Sequence, residues 1–360
     1  MLKKILKKPL NLNRNFFALF FMMTISFGSQ ILSLVKSSVI ADNFGLSNEI
    51  DAYNLVNSIS AFFVSFISSG IVTIIVPGYI QKKRREYLDS FITLIYFALF
   101  IIVAVFLTFR SYIIGFITNK SIDFVVLACN MLLVVLTTNY LFSITNITTA
   151  YFQSREKFNI PKLTNFSVQF IVIVVLLSLK KLTIIKLVIC ISCGLIINTL
   201  LDVVLACCEG WRFKPSFMFL SQETKRLFRT FIPVLISSGI YQISLLIDTL
   251  IASNLETGKI TVLNYSGQIV NIVNTVVIGN LLVYIYPKII KSIQNLDKQQ
   301  FFWDATIFFH FVVCFIITVF AAIGKETITF LFQRGNFNES ATQAVFFGAL
   351  IYIFGQQTNI

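Results

Sequence analysis

The stretch Phe16–Ala41, FFALFFMMTISFGSQILSLVKSSVIA, decides how the rest of the chain is read. Its 26 positions carry a single charged side chain, Lys36. As a helix rising about 1.5 Å per residue, the run is long enough to cross a hydrocarbon core of roughly 30 Å. An ammonium inside such a helix costs about 2.5–3.5 kcal/mol on insertion scales, less where its stem reaches the interface. A lysine held at that cost faces a watery cavity or a partner, unless it snorkels to the outer headgroup layer. A short acidic loop follows and then a second apolar run, 52–80, so residues 16–83 read as two membrane helices in series.

The same pattern recurs along all 360 residues. The chain is 56% apolar and 12% charged, with a mean hydropathy of +0.83. Apolar runs longer than 18 residues exclude a soluble globule. No segment has the short apolar core and small-residue cleavage site of a secretory signal, so Lys3, Lys4, Lys7, Lys8 and Arg14 read as a retained cytoplasmic anchor. The net charge of +13 sits in short loops and builds no continuous basic face, which argues against nucleic acid as partner. Cys190 and Cys193 have a C-x-x-C spacing without a second pair or a nearby histidine. With Cys129, Cys207, Cys208 and Cys314 they read as small packing residues, and His310 reads as a core histidine.

Ten spans are expected, at roughly 16–41, 52–80, 91–116, 122–150, 162–180, 183–208, 231–253, 262–287, 301–324 and 341–357. Alternate loops counted from the N-terminus hold 20 of the 29 Lys and Arg, Lys82 and Lys83 among them. By the positive-inside rule that set faces the cytosol together with the N-terminus. Lys180, Lys181 and Lys186 run against the pattern. The long polar loop 209–230 divides an N-lobe, 1–208, from a C-lobe, 231–360.

An internal repeat supports that division. Ser29-Gln30-Ile31 through Lys36 aligns with Tyr241-Gln242-Ile243 through Asp248 at an offset of 212, and Val76-Pro77 with Tyr286-Pro287 at 210. Phe116 to Lys120 also resembles Phe330 to Arg334. With six spans between copies, the repeats keep one orientation and are related by an axis along the membrane normal. Lys36 and Asp248 then hold equivalent places in the two lobes. Opposite charges so placed suit a central cavity or a gate that breaks and reforms; a plain ion pair, or two unrelated snorkelling groups, fits the same spacing.

Several segments, in order, resemble the MurJ (MviN) lipid II flippase family of the multidrug/oligosaccharidyl-lipid/polysaccharide exporter superfamily. They are Gln30–Lys36, Asn43-Phe44-Gly45, Ile50-Asp51-Ala52-Tyr53, Val76-Pro77, Arg155–Pro161, Ile251–Leu255 with Gly258-Lys259-Ile260 and Leu263-Asn264-Tyr265, and Leu331-Phe332-Gln333-Arg334-Gly335-Asn336-Phe337. The resemblance implies an all-α, two-lobed bundle, normally of fourteen helices. It would carry undecaprenyl-diphosphate-linked peptidoglycan precursor across the bacterial cytoplasmic membrane by alternating access. A diphosphate and sugars cannot cross hydrocarbon unshielded, so such a protein needs a hydrated cationic cavity.

The resemblance makes Lys36 the diphosphate contact and Gln30, Gln268 and Asn271 polar headgroup contacts, although, taken singly, each is better explained by hydrogen bonding between helices. Asp51 becomes a gate residue, Asp248 an ion-coupling or gating partner, and Arg334 with Gly335 a structural loop. Where the family has cavity arginines, this chain has Gln30, Lys36 and Gln268; the thinned charge leaves the cargo open between lipid II and an O-antigen or capsule unit. The chain stops after a tenth span, so an incomplete C-lobe is expected, and with it the alternative of a truncated, non-transporting envelope scaffold. A cation-coupled drug antiporter would want acids inside the first lobe, where Asp202 stands nearly alone. Nothing resembles a nucleotide-phosphate loop, a catalytic triad or a metal cluster. The expectation is therefore a transporter and not an enzyme, without cofactor, driven by a monovalent ion or the membrane potential.

Overall fold

A computed structural model describes residues 12–80, 85–179, 181–218, 221–273 and 299–355. These residues form twelve helices and no strand: α1 Leu12–Phe44, α2 Asn48–Ile80, α3 Arg85–Thr108, α4 Arg110–Ile117, α5 Ile122–Phe142, α6 Thr145–Ser154, α7 Asn159–Ser178, α8 Ile184–Cys208, α9 Gln222–Ser253, α10 Lys259–Val273, α11 Gln299–Phe332 and α12 Glu339–Gly355. Segments within α1, α3, α7, α8 and α11, together with the run through α5 and α6, are long and apolar enough to cross a bilayer. The two arms of α9 make a seventh if taken as one span. The expected eighth span, 262–287, passes outside the described residues after 273, as do the cations Lys82 and Lys83.

The break between α5 and α6 has a local cause. The Ser143 carbonyl accepts the Asn146 backbone N–H at 3.0 Å, an i→i+3 bond, together with the Tyr96 hydroxyl at 2.6 Å and the Asn146 side-chain amide at 2.9 Å, so the ladder tightens to 3₁₀ spacing at that turn and side-chain donors join it.

The chain divides into two compact units that are not consecutive in sequence. One comprises residues up to Ser33, Val56–Ile113 and Cys129–Ile247. Its core joins Ile71 and Ile75 of α2, Phe91 and Ile95 of α3, Tyr151 and Phe152 of α6 and Phe231 of α9. The loop after α8 is sewn into it: Trp211 is buried and its indole N–H donates to the Tyr79 hydroxyl, while the Tyr151 hydroxyl donates to the Glu209 carbonyl at 2.8 Å. Gly194 lets α8 come so close to α7 that an added Cβ would run into Val172. Farther along the same pair of helices the buried Asp202 carboxylate accepts the Thr164 hydroxyl.

The other unit comprises Leu34–Leu55, Ile114–Ala128 and the chain from Asp248 onward. Its core gathers Ala41 of α1, Tyr265 and Ile269 of α10, Ile328 and Phe332 of α11, Phe337 of the following loop and Val345 of α12.

Two expectations for single residues are corrected here. His310 is exposed on α11, beside Ile307, Phe308 and Phe311, and Cys193, Cys207, Cys208 and Cys314 are exposed as well. In a chain whose solvent is lipid, the apolar face of a helix is also its outward face, so apolar neighbours do not imply a core position.

Candidate functional site

The residues singled out in the sequence are spread along several helices. Gln30 and Lys36 are both half-buried on α1. Six residues apart on a helix, they point about 120° from one another around its axis and form no common stripe. Lys36 makes no ion pair or hydrogen bond among the described residues, and Asp248 is not its partner. Instead Asp248, half-buried on α9, accepts the Tyr352 hydroxyl of α12 at 3.1 Å. Gln268 is half-buried and Asn271 exposed, three residues apart on α10. Arg334 is exposed, and its guanidinium closes its own helix by donating to the carbonyls of Phe330 and Leu331. At Gly335 the backbone turns through φ +52°, and a Cβ there would run into Asp42, so the loop after α11 lies flat on the end of α1. Asn336 N–H donates to the Asp42 carbonyl at 2.9 Å across the same contact.

Asp51 gathers a dense set of polar partners among the described residues. It lies in the first turn of α2, and its side chain is 0% exposed. One carboxylate oxygen accepts Gly258 N–H at 2.7 Å and the Lys120 ammonium at 2.9 Å. The other accepts both the N–H and the hydroxyl of Thr261, at 3.0 and 2.7 Å. The first N–H groups of a helix have no carbonyl within it to meet, and they carry the positive end of the helix dipole. Asp51 therefore caps α10 from another helix. Four donors on one carboxylate offset a desolvation that would otherwise cost several kcal/mol.

Neighbouring contacts tie the same segments together. Asn54 donates to the Thr261 hydroxyl oxygen at 3.2 Å, the Thr118 hydroxyl to the Ser253 carbonyl at 3.0 Å, and the Asn254 amide to the Ile117 carbonyl at 3.1 Å. Gly258 makes the approach feasible: its φ is +92°, and an added Cβ would sit 2.8 Å from Leu46 Cβ. The sequence pointed to Asp51 but missed Lys120, Asn54, Thr118, Asn254 and Thr261. An acidic first turn was the one local signal; partners drawn from separate segments leave none.

The long apolar helices and their apolar outward faces describe a multi-pass membrane protein. Residues 40–355 match the family model for lipid II flippase MurJ, and the chain belongs to that family. A curated relative, the probable lipid II flippase MurJ of Buchnera aphidicola subsp. Baizongia pistaciae, is 23% identical over 334 residues, covering 87% of this chain and 64% of its own length. This chain thus spans less than two thirds of that relative. A solved lipid II flippase MurJ in an inward closed conformation superposes with a TM-score of 0.76 at 19% identity, covering 94% of this chain and 73% of that one. An inward-facing multidrug transporter of the MATE family gives 0.62 at 12% identity, over 94% of this chain and 83% of that one.

Proposed function

We propose that this chain moves an anionic lipid-linked oligosaccharide, in the first instance lipid II, from the cytosolic to the periplasmic leaflet of the bacterial inner membrane. The observation that carries the reading is Lys36: a half-buried ammonium, without a partner among the described residues, two turns inside the C-terminal end of an apolar helix. A diphosphate passing beside it would supply the missing counter-charge. Gln30, Gln268 and Asn271 would meet the headgroup's sugars and peptide as neutral donors and acceptors. The N-terminus and the Lys82–Lys83 loop face the cytosol in this scheme, which puts Asp51 at the periplasmic end.

Asp51 then acts as the gate residue. Its contacts with α10 hold that end closed while cargo enters, and they are polar enough to be exchanged for water when it opens. Asp248, through Tyr352, is the group that a monovalent ion or the membrane potential would act upon. No bond of the cargo is made or broken, so the activity is transport and not catalysis.

Lys36→Ala should abolish export of lipid-linked sugar in a flippase-depleted strain while the protein still inserts in the membrane. Normal export by that variant would remove Lys36 from the site. Failure of the unaltered chain to complement would favour an envelope scaffold. The neutral side chains at 30, 268 and 271 favour a second cargo, an O-antigen or capsule unit, and competition between the two lipids would separate them.

A further inference from the structure

We propose that Lys120 is a positioning residue of the gate, supplying the one full positive charge that holds Asp51 against α10. This rests on Asp51 being the gate. Of the four donors around the carboxylate, Gly258 N–H, Thr261 N–H and the Thr261 hydroxyl are neutral, and Lys120 alone is an ion. The pair is well shielded, with side-chain exposures of 11% for Lys120 and 0% for Asp51. A carboxylate so enclosed is strongly destabilised when its counter-ion is removed, whereas removing both charges together is close to neutral.

Lys120 is also held in advance of the contact it makes. Its ammonium stands 4.9 Å from the centre of the Phe124 ring, which favours a cation and blocks other approaches from that side. Its backbone N–H donates to the Thr118 hydroxyl oxygen at 3.3 Å, and that hydroxyl donates to the Ser253 carbonyl at the end of α9. The loop between α4 and α5 therefore joins two elements of the gate at once: the lysine engages α2 while the threonine two residues earlier engages α9. A lysine stem of four carbons can carry its charge out to water without unfolding the loop, which suits a contact made and released in each cycle.

The test is disulfide trapping. Asn48 and Thr257 are exposed and joined side chain to side chain at 2.9 Å across the same junction. Asn48→Cys with Thr257→Cys, in the full chain with its six native cysteines replaced, reports the closed gate. Lys120→Met should lower the closed-to-open ratio by about tenfold or more, Lys120→Arg should keep it within about threefold, and Lys120→Met combined with Asp51→Asn should recover most of the loss.

Wild-type trapping in Lys120→Met, with trapping lost in Asp51→Asn, would overturn the role of Lys120 and leave the gate standing. Trapping unchanged in both would overturn the gate itself. Trapping lost in Lys120→Met and restored neither by arginine nor by the double substitution would make the lysine a packing residue, which also overturns the proposal.

Discussion

Replacing Gly258 by alanine tests the junction through a single methyl group. The backbone there has φ +92°, where a side chain costs about 1–3 kcal/mol in strain. The new Cβ would meet Leu46 Cβ at 2.8 Å and the Leu46 carbonyl oxygen at 3.3 Å, so the turn must move. Moving it pulls Gly258 N–H away from Asp51, a hydrogen bond of 2.7 Å to a charged acceptor, worth about 1.5–3 kcal/mol. Together these give about 3 kcal/mol or more, or about a 10²-fold change in the opening of the first turn of α10. Hydrogen exchange reads that change directly. Thr261 N–H is in that first turn and is held by Asp51, so a peptide spanning residues 255–265 should exchange about 10²-fold faster in Gly258→Ala. Peptides of the α7–α8 pair, in the other unit, should exchange as before. Unchanged protection across 255–265 would refute both the strained turn and the capping of α10 by Asp51.

Other expectations concern separate parts of the chain. Thr164→Val removes the hydroxyl from the buried Asp202 carboxylate and should destabilise the first unit by about 1–3 kcal/mol, read as a lowered midpoint of thermal unfolding in detergent. Gly194→Leu should be worse, because Val172 already occupies the space; failure to yield monodisperse protein, or a Tm several degrees lower, is the expected result. Cysteines placed at Lys82 or Lys83 should resist an impermeant maleimide added outside intact cells, and labelling there would invert the proposed topology.

The all-helical membrane class was legible because apolar length is a local property. Phe16–Ala41 announces a span without help from the rest of the chain, and so does 183–208, while by length and composition the described residues give six or seven spans where ten were expected. The orientation of each helix around its own axis was not. His310 and Cys314 sit among apolar neighbours in sequence, yet they face outward, since a lipid-facing stripe and a buried one are written in the same residues.

The site divides in the same way. Asp51 stood out as an acid at the start of an apolar helix, but its partners lie 69 and 207 to 210 residues away, with no periodicity to betray them. Lys120 was hidden among the minority of cations outside the cytosolic set. The repeat made Lys36 and Asp248 equivalents by position, which is different from making them partners: Asp248 turns to Tyr352. Gly258 lay in a segment recognised by resemblance, while the reason for a glycine there, a positive φ and the proximity of Leu46, belongs to three dimensions only.

The distance along the chain between Asp51 and Thr261 has a consequence for biosynthesis. Translation at about 5–20 residues per second puts roughly 10–40 s between the two residues leaving the ribosome. Throughout that interval the carboxylate has no α10 to cap, and Lys120 emerges partway through it. The junction around Asp51 therefore cannot form until α10 has been synthesised.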